Sequence, residues 1–353
     1  MKKLFLLLLL FPLFTSCSLV TMERQIYPIC LSVDATEDGQ FQLALQAPRS
    51  SGNDDASYDI ISATGKTLED AMRVLSASTP YPLNFSQIRL CIVGYHLAAT
   101  TPLRPLLRTL MEQPSMRPTA YVSIAMGKAL DVLQNQQPDF GMRLSTHLNL
   151  LLDRLQQERL LPDSTLSYCV RELSDNRTDL LIGLCAVNRS LIPEEENAKK
   201  ENAPTGGQSS PAFAIGEPWS DELLPENVLA GMINHTSPNP VEYLGAAAVS
   251  EGRVSGVLTA DETQLALRLF KETTRRVARN GDQLQLQILL KEGSDLTDDL
   301  PRIDDLMQKL QSLDCDALLF GGICAMGFRT NAEWEAYGFR SRYRTAHIAI
   351  GTE

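Results

Sequence analysis

Along 40–46 the chain alternates, Phe41, Leu43 and Leu45 on one side and Gln42, Ala44 and Gln46 on the other, the pattern of a strand with one buried face. The stretch from Pro48 to Ser57, rich in Ser, Gly, Asn and Asp, predicts a loop. At Thr67 the period changes. Leu68, Ala71, Met72 and Leu75 recur at helical spacing, Thr67 can cap the first turn, and Asp70 suits the positive end of the helix dipole. Pro80 and Pro82 stop that helix, and an apolar run over 88–93 predicts a buried strand. Thr101-Pro102 opens a second helix with Leu103, Leu106, Leu107 and Leu110 inward. A strand over 121–126, a short helix over 127–135 and a longer helix over 145–160, inward on Leu148, Leu151, Leu152 and Leu155, follow. The runs 166–172 and 180–187 both read as strands.

In the second half, 245–249 and 254–258 read as a hairpin around Glu251-Gly252. Thr259 and Glu262 form a capping box that opens a helix, with Asn280-Gly281 as its stop. The alternation of 283–290 predicts a strand with one wet face. A helix over 301–313 buries Ile303, Leu306, Met307 and Leu310, and 342–350 closes the chain as a strand. Between the halves, 193–215 is dominated by Glu, Lys, Asn, Gly, Ser and Pro, and buries too little apolar surface to offset the entropy of ordering it. The domain organisation expected is therefore a leader over 1–16, an N-terminal α/β domain over 17–192, a polar linker over 193–215 and a C-terminal α/β region over 216–353, divisible into lobes 216–258 and 259–353. Strands and helices mix on both sides of the linker. The expected class is α/β, in the broad sense of mixed α+β layers: a multi-domain protein of mixed β-sheets flanked by helices.

The leader places the protein. Two lysines, an apolar run from Leu4 to Leu13, and small polar residues ending at Cys17 make a secretory signal peptide, too short at about ten apolar residues for the roughly twenty that span a bilayer. Leu13-Phe14-Thr15-Ser16-Cys17 resembles a bacterial lipobox, with Phe14 where Leu is usual, so Cys17 is the expected lipid attachment site of a lipoprotein carrying fatty acyl chains such as palmitate. The alternative is an ordinary secretory signal followed by a free cysteine. Net charge is −11, and −13 once Lys2 and Lys3 are removed with the leader, so nucleic acid is an unsuitable partner and membrane contact must come from the lipid.

Candidate chemistry is sparse. Of seven cysteines, six remain beside Cys17, with no C-x-x-C. Cys91 and Cys185 lie in apolar runs and read as core residues, with a Cys169–Cys185 disulfide the alternative to check first. Gly65-Lys66-Thr67 has the outline of a phosphate loop, but Ile60 stands where its first glycine belongs, and helix capping accounts for Thr67. His96, His147, His235 and His347 are not at metal-ligand spacing. The pairs Asp298-Asp299 and Asp304-Asp305 suit helix starts as well as acid–base work. Trp219, Trp334, Tyr337 and Phe339 could line a ligand site or serve core and interface packing, with Trp334, Tyr337 and Phe339 the candidate protein-interface residues. No cofactor, metal site or catalytic constellation is called for, and the chain reads as a non-enzyme.

Residues 65–94 give the first family likeness: a Gly-Lys-Thr helix, a Ser and Pro break, Phe85-Ser86-Gln87 and a strand ending at Gly94-Tyr95. The second is 245–263, a hairpin leading into a helix that starts with Glu262-Thr263, and the third is 314–343, with its Asp, Phe-Gly and spaced Trp. Together with the lipobox, these stretches resemble the Ger(x)C family, the lipoprotein C subunits of GerA-type germinant receptors in spores. Gln87 stands for the family's usual His, Tyr95 for its Glu, and Ser18-Leu19 for the Trp-Asp that commonly follows the lipidated cysteine. The resemblance implies a multi-domain α/β lipoprotein at the outer surface of the spore inner membrane. It would work beside membrane-embedded A and B receptor subunits in nutrient-triggered germination, through protein contacts and without catalysis. A lipid-anchored extracytoplasmic solute-binding protein is the alternative that the same anchor and layers allow; an exported hydrolase is another.

Overall fold

The computed structural model describes residues 24–49, 58–175, 177–188, 239–280 and 283–352. The leader, Cys17, the 193–215 linker, Trp219 and His235 lie outside the described residues, as does most of the 48–57 loop.

The larger sheet is built from β1 (Cys30–Ala35), β2 (Phe41–Pro48), β3 (Tyr58–Gly65), β4 (Leu90–Gly94), β5 (Tyr121–Ala125), β6 (Leu180–Val187), β7 (Val241–Glu242), β8 (Ala246–Ser250) and β9 (Arg253–Leu258). Its order is β3-β2-β1-β4-β5-β6-β8-β9, with β7 pairing β6. The centre, β1-β4-β5-β6, is parallel and both flanks are antiparallel. Both faces are covered. Leu31, Val33, Leu43, Leu45, Cys91 and Val93 face one core with α1 (Leu68–Ala77) and α3 (Leu103–Met111). Cys30, Ala44, Leu90 and Ile92 face another with α4 (Ala129–Asn135) and α5 (Leu144–Gln157). This double burial corrects the half-wet reading of 40–46: Ala44 and Gln46 are enclosed as well. Between β4 and α3, α2 (Tyr95–Thr100) has no counterpart in the sequence reading.

Several helices keep their expected faces. Thr67 accepts a hydrogen bond from the Asp70 N–H at 3.1 Å, and Leu68, Ala71, Met72 and Leu75 are buried. Gly65 serves packing, since a Cβ there would sit 2.4 Å from the Ala71 nitrogen. The run 166–172, expected as a strand, is a helix, α6 (Leu166–Glu172). Its inward residues Leu166 and Cys169 are one turn apart, a helical spacing that a seven-residue run displays too briefly to separate from a strand.

The second sheet comprises β10 (Thr273–Asn280), β11 (Gln283–Leu290) and β12 (His347–Thr352) in the order β10-β11-β12, antiparallel then parallel. It packs with α7 (Ala260–Glu272), α8 (Leu300–Ser312), α9 (Phe320–Ala325) and α11 (Phe339–Tyr343). The capping box at Thr259 and Glu262 is present, but α7 ends at Glu272 rather than at 280. Thr273, Thr274 and Val277 favour extended chain, and β10 pairs antiparallel with β11 from Thr273 opposite Leu290 to Asn280 opposite Gln283. Likewise 342–346, expected as strand, is the end of α11 and a turn; the closing strand starts at His347.

The 245–258 hairpin also departs from the expected boundary. Its strands β8 and β9 complete the larger sheet, so that sheet includes residues from both sides of the linker. Ala247 and Val249 face the core shared with α1 and α3, while Ala246 and Ala248 face the core of the second sheet, called the second core below. The two sheets thus share a wall. All six described cysteines are buried free thiols, and Cys169 and Cys185 belong to different cores on opposite faces of the sheet, which rules out their pairing. Burial pushes the thiols of Cys91 and Cys185 up to about 12, leaving them inert. Among the described residues, no helix is long and apolar enough to cross a membrane.

Candidate functional site

Thr330 caps α10 (Asn331–Tyr337) by accepting the Glu333 N–H at 3.2 Å, and Gly338, left-handed at φ 61°, ends it and turns the chain into α11. That sharp turn stacks Trp334 on Phe339, with ring centroids 5.4 Å apart, and Phe339 on Tyr343 at 5.7 Å. Phe328 closes the cluster edge-on to Trp334, and guanidinium groups lie over its rim: Arg279 is 4.2 Å from the Phe328 ring and Arg342 is 4.4 Å from that of Tyr337. Trp334 and Phe339 are 7% and 6% exposed. Their rings form the second core, which withdraws them as surface contacts; of the three candidate interface residues, the partly buried Tyr337 retains more surface.

The opposite side of α11 makes a polar junction that the sequence reading missed. Arg340 reaches Asp179, at the entrance to β6, through Nη2–Oδ1 at 2.6 Å and Nη1–Oδ2 at 3.2 Å. The same Nη1 donates to the Ser250 hydroxyl at 2.8 Å and the Asp314 carbonyl at 3.1 Å. Glu251, in the β8–β9 turn, lies 3.6 Å from the Arg340 Nε. One guanidinium therefore joins β6, the β8–β9 turn, the segment after α8 and α11. Asp316, fully buried, accepts the Phe320 and Gly321 N–H groups at 3.0 and 2.5 Å, and its own N–H donates to Asp179 at 3.0 Å. Burial pushes the Asp316 carboxyl up to about 7 against the pull of those two N–H donors. Burial also raises Asp179, opposed by Arg340. Tyr343 completes the junction by donating its hydroxyl to the Cys315 carbonyl at 3.0 Å.

This arrangement is a clasp between the two sheets. Its carboxylates are taken up by backbone donors and a guanidinium, and the Ser250 hydroxyl is held between Arg340 and the Asp314 carbonyl. A trace of it is legible in the sequence: Asp179 directly precedes the apolar run 180–187, and Asp314 and Asp316 flank a cysteine before another apolar run. Acidic residues at the mouths of buried segments need a partner, but the sequence does not name Arg340.

The other expected sites are scattered. His96 and His347 are exposed on α2 and β12, and His147 is buried in α5, where burial lowers its pKa. Among the described residues, no group of three or more His, Cys, Asp or Glu could hold a metal ion. Asp299 pairs with Arg302 at 3.0 Å and Asp304 accepts from Gln308 at 2.8 Å, which are surface roles.

Residues 20–187 match the family described as "Spore germination protein N-terminal domain". The match takes in the larger sheet from β1 to β6. Among solved structures, "Crystal Structure of the GerBC protein" aligns over 91% of this chain and 95% of its own, at 12% identity and a TM-score of 0.48. No curated protein matches the chain.

Proposed function

We propose that the chain is a member of the Ger(x)C family of spore germination proteins and the lipid-anchored C subunit of a germinant receptor, acting through contacts with other proteins. The observation that carries this reading is the family's N-terminal domain over 20–187. The leader ending at Cys17 supports it from the sequence, since two or more acyl chains on that cysteine hold a polypeptide stably at a membrane surface. The polar clasp supports a non-catalytic role, because its ionisable groups are spent on joining the sheets. The subunit sits on the outer surface of the spore inner membrane, beside membrane-embedded A and B subunits, and takes part in the nutrient response.

The anchor gives the test. Cys17→Ala shifts the protein from the membrane fraction to the soluble fraction and slows nutrient-triggered germination. Retention in the membrane would refute the lipid anchor, and germination at the normal rate after release would refute the receptor role.

A further inference from the structure

Between α5 and the N-terminal ends of β4 and β5 lies a cleft of about 270 Å³. Its strand side carries Arg89, just before β4, and Arg117 and Thr119, just before β5. Its helix side carries Asn149, Asp153 and Gln156, spaced to share one face of α5. The Tyr121 hydroxyl donates to Gln156 Oε1 across the inner end, and Asn149 donates to Asp153 at 3.1 Å.

The two guanidinium groups share one cleft without an ion pair among the described residues. Other arginines of this acidic chain meet several carboxylates, as Arg268 does with Glu272, Asp295 and Asp299 and Arg340 with Asp179, Asp314 and Glu251, or donate to backbone carbonyls, as Arg275 and Arg279 do. Arg117 instead donates to the Thr119 hydroxyl at 2.8 Å, and Arg89 donates through Nη2 to Gln87 at 3.2 Å. Nε and Nη1 of Arg89 are enclosed and have no hydrogen-bond partner among the described residues. Enclosed charged donors without acceptors are costly, and two like charges lining one cleft add repulsion. A ligand that brings acceptor oxygens and negative charge relieves both costs at once.

We propose that this cleft binds a small oxyanion, a carboxylate or phosphate group, held by Arg89 and Arg117. A planar guanidinium can meet two oxygens of such a group together. Arg89 turns its enclosed edge into the cleft to do so. Asp153 repels further negative charge, so the preferred ligand carries its anionic group at one end only. A free acid and a lipid phosphate headgroup share this chemistry.

The test uses the mature chain from Ser18, without its lipid. Thermal unfolding is followed with inorganic phosphate, with acetate and with sodium chloride at matched ionic strength, alongside flotation with vesicles of phosphatidylglycerol or of phosphatidylcholine alone. A rise in melting temperature with phosphate or acetate beyond the chloride control, reduced in Arg89→Gln and in Arg117→Gln, supports a soluble ligand. Flotation with phosphatidylglycerol vesicles only, lost in both variants, supports a headgroup. Affinity should fall by about tenfold or more in each variant, the weight of one charge-assisted contact. Arg117→Gln keeps the test readable should Arg89→Gln fail to fold. No response in either arm, or a response equal in wild type and Arg117→Gln, would overturn the proposal. The inference stands independently of the receptor assignment, which this experiment does not touch.

Discussion

At Asp316 the fold keeps a carboxyl group wholly out of water and raises its pKa from an ordinary carboxylate value to about 7. The sign of the consequence follows from which state holds the proton more tightly. Between the ordinary carboxylate range and about 7 the unfolded chain is ionised while the folded one keeps its proton, so this group's contribution to stability falls as pH rises through that window. Asp34 acts in the same direction: its carboxylate accepts the Ala129 and Leu130 N–H groups at 2.8 Å each, and burial pushes it up to about 6. Urea unfolding of wild type and Asp316→Asn across this range should show a steeper loss of stability with pH in the wild type. Parallel pH profiles would contradict the assignment to Asp316. Asp34 also shows why β1 escaped the sequence reading. Cys30–Ala35 carries Ser32 and Asp34 inward, so a fully buried strand reads there as a polar stretch.

Elements whose periodicity runs long enough were legible; those decided by tertiary partners were not. The inward residues of α1, α3 and α8 follow from 3.6-residue spacing, as the alternation in β11 follows from its period of two. By contrast α6 spans only seven residues, and β10 follows α7 without a break, its strand state settled by pairing with β11. The short helices between Phe320 and Tyr343 are set by Gly338 and by the aromatic stack, a long-range fit that local pattern does not record. The clasp acts at this scale too, tying α11 to β6 and to the β8–β9 turn. Arg340→Ala leaves Asp179 buried beside Asp316 without its cation and should cost about 2 to 4 kcal/mol, the guanidinium's partial exposure placing the loss toward the lower end. Urea unfolding measures this directly, and a loss smaller than that of an ordinary surface ion pair would show that the clasp does not join the sheets.

Over the whole molecule, the linker divides the sequence but not the structure. The hairpin that follows it completes the sheet that begins at β1, and the second core rests on the back of that hairpin. The alternating small residues of 246–249 made the hairpin readable, whereas its attachment to β6 depends on strands far apart in sequence. Of the candidate site residues, the sequence placed Trp334, Tyr337 and Phe339 in one cluster, and burial decided between core and surface for two of them. The Arg340 clasp and the Arg89 cleft stayed hidden because each assembles groups from distant segments. The family match lies over residues 20–187, and the proposed function makes the protein one part of a larger membrane assembly. The most direct measurement is affinity capture of a tagged copy from detergent-solubilised spore inner membrane, with mass spectrometry of the proteins recovered. The account predicts two multispanning receptor subunits in the capture; recovery of the protein alone, or with transporter subunits, would contradict it.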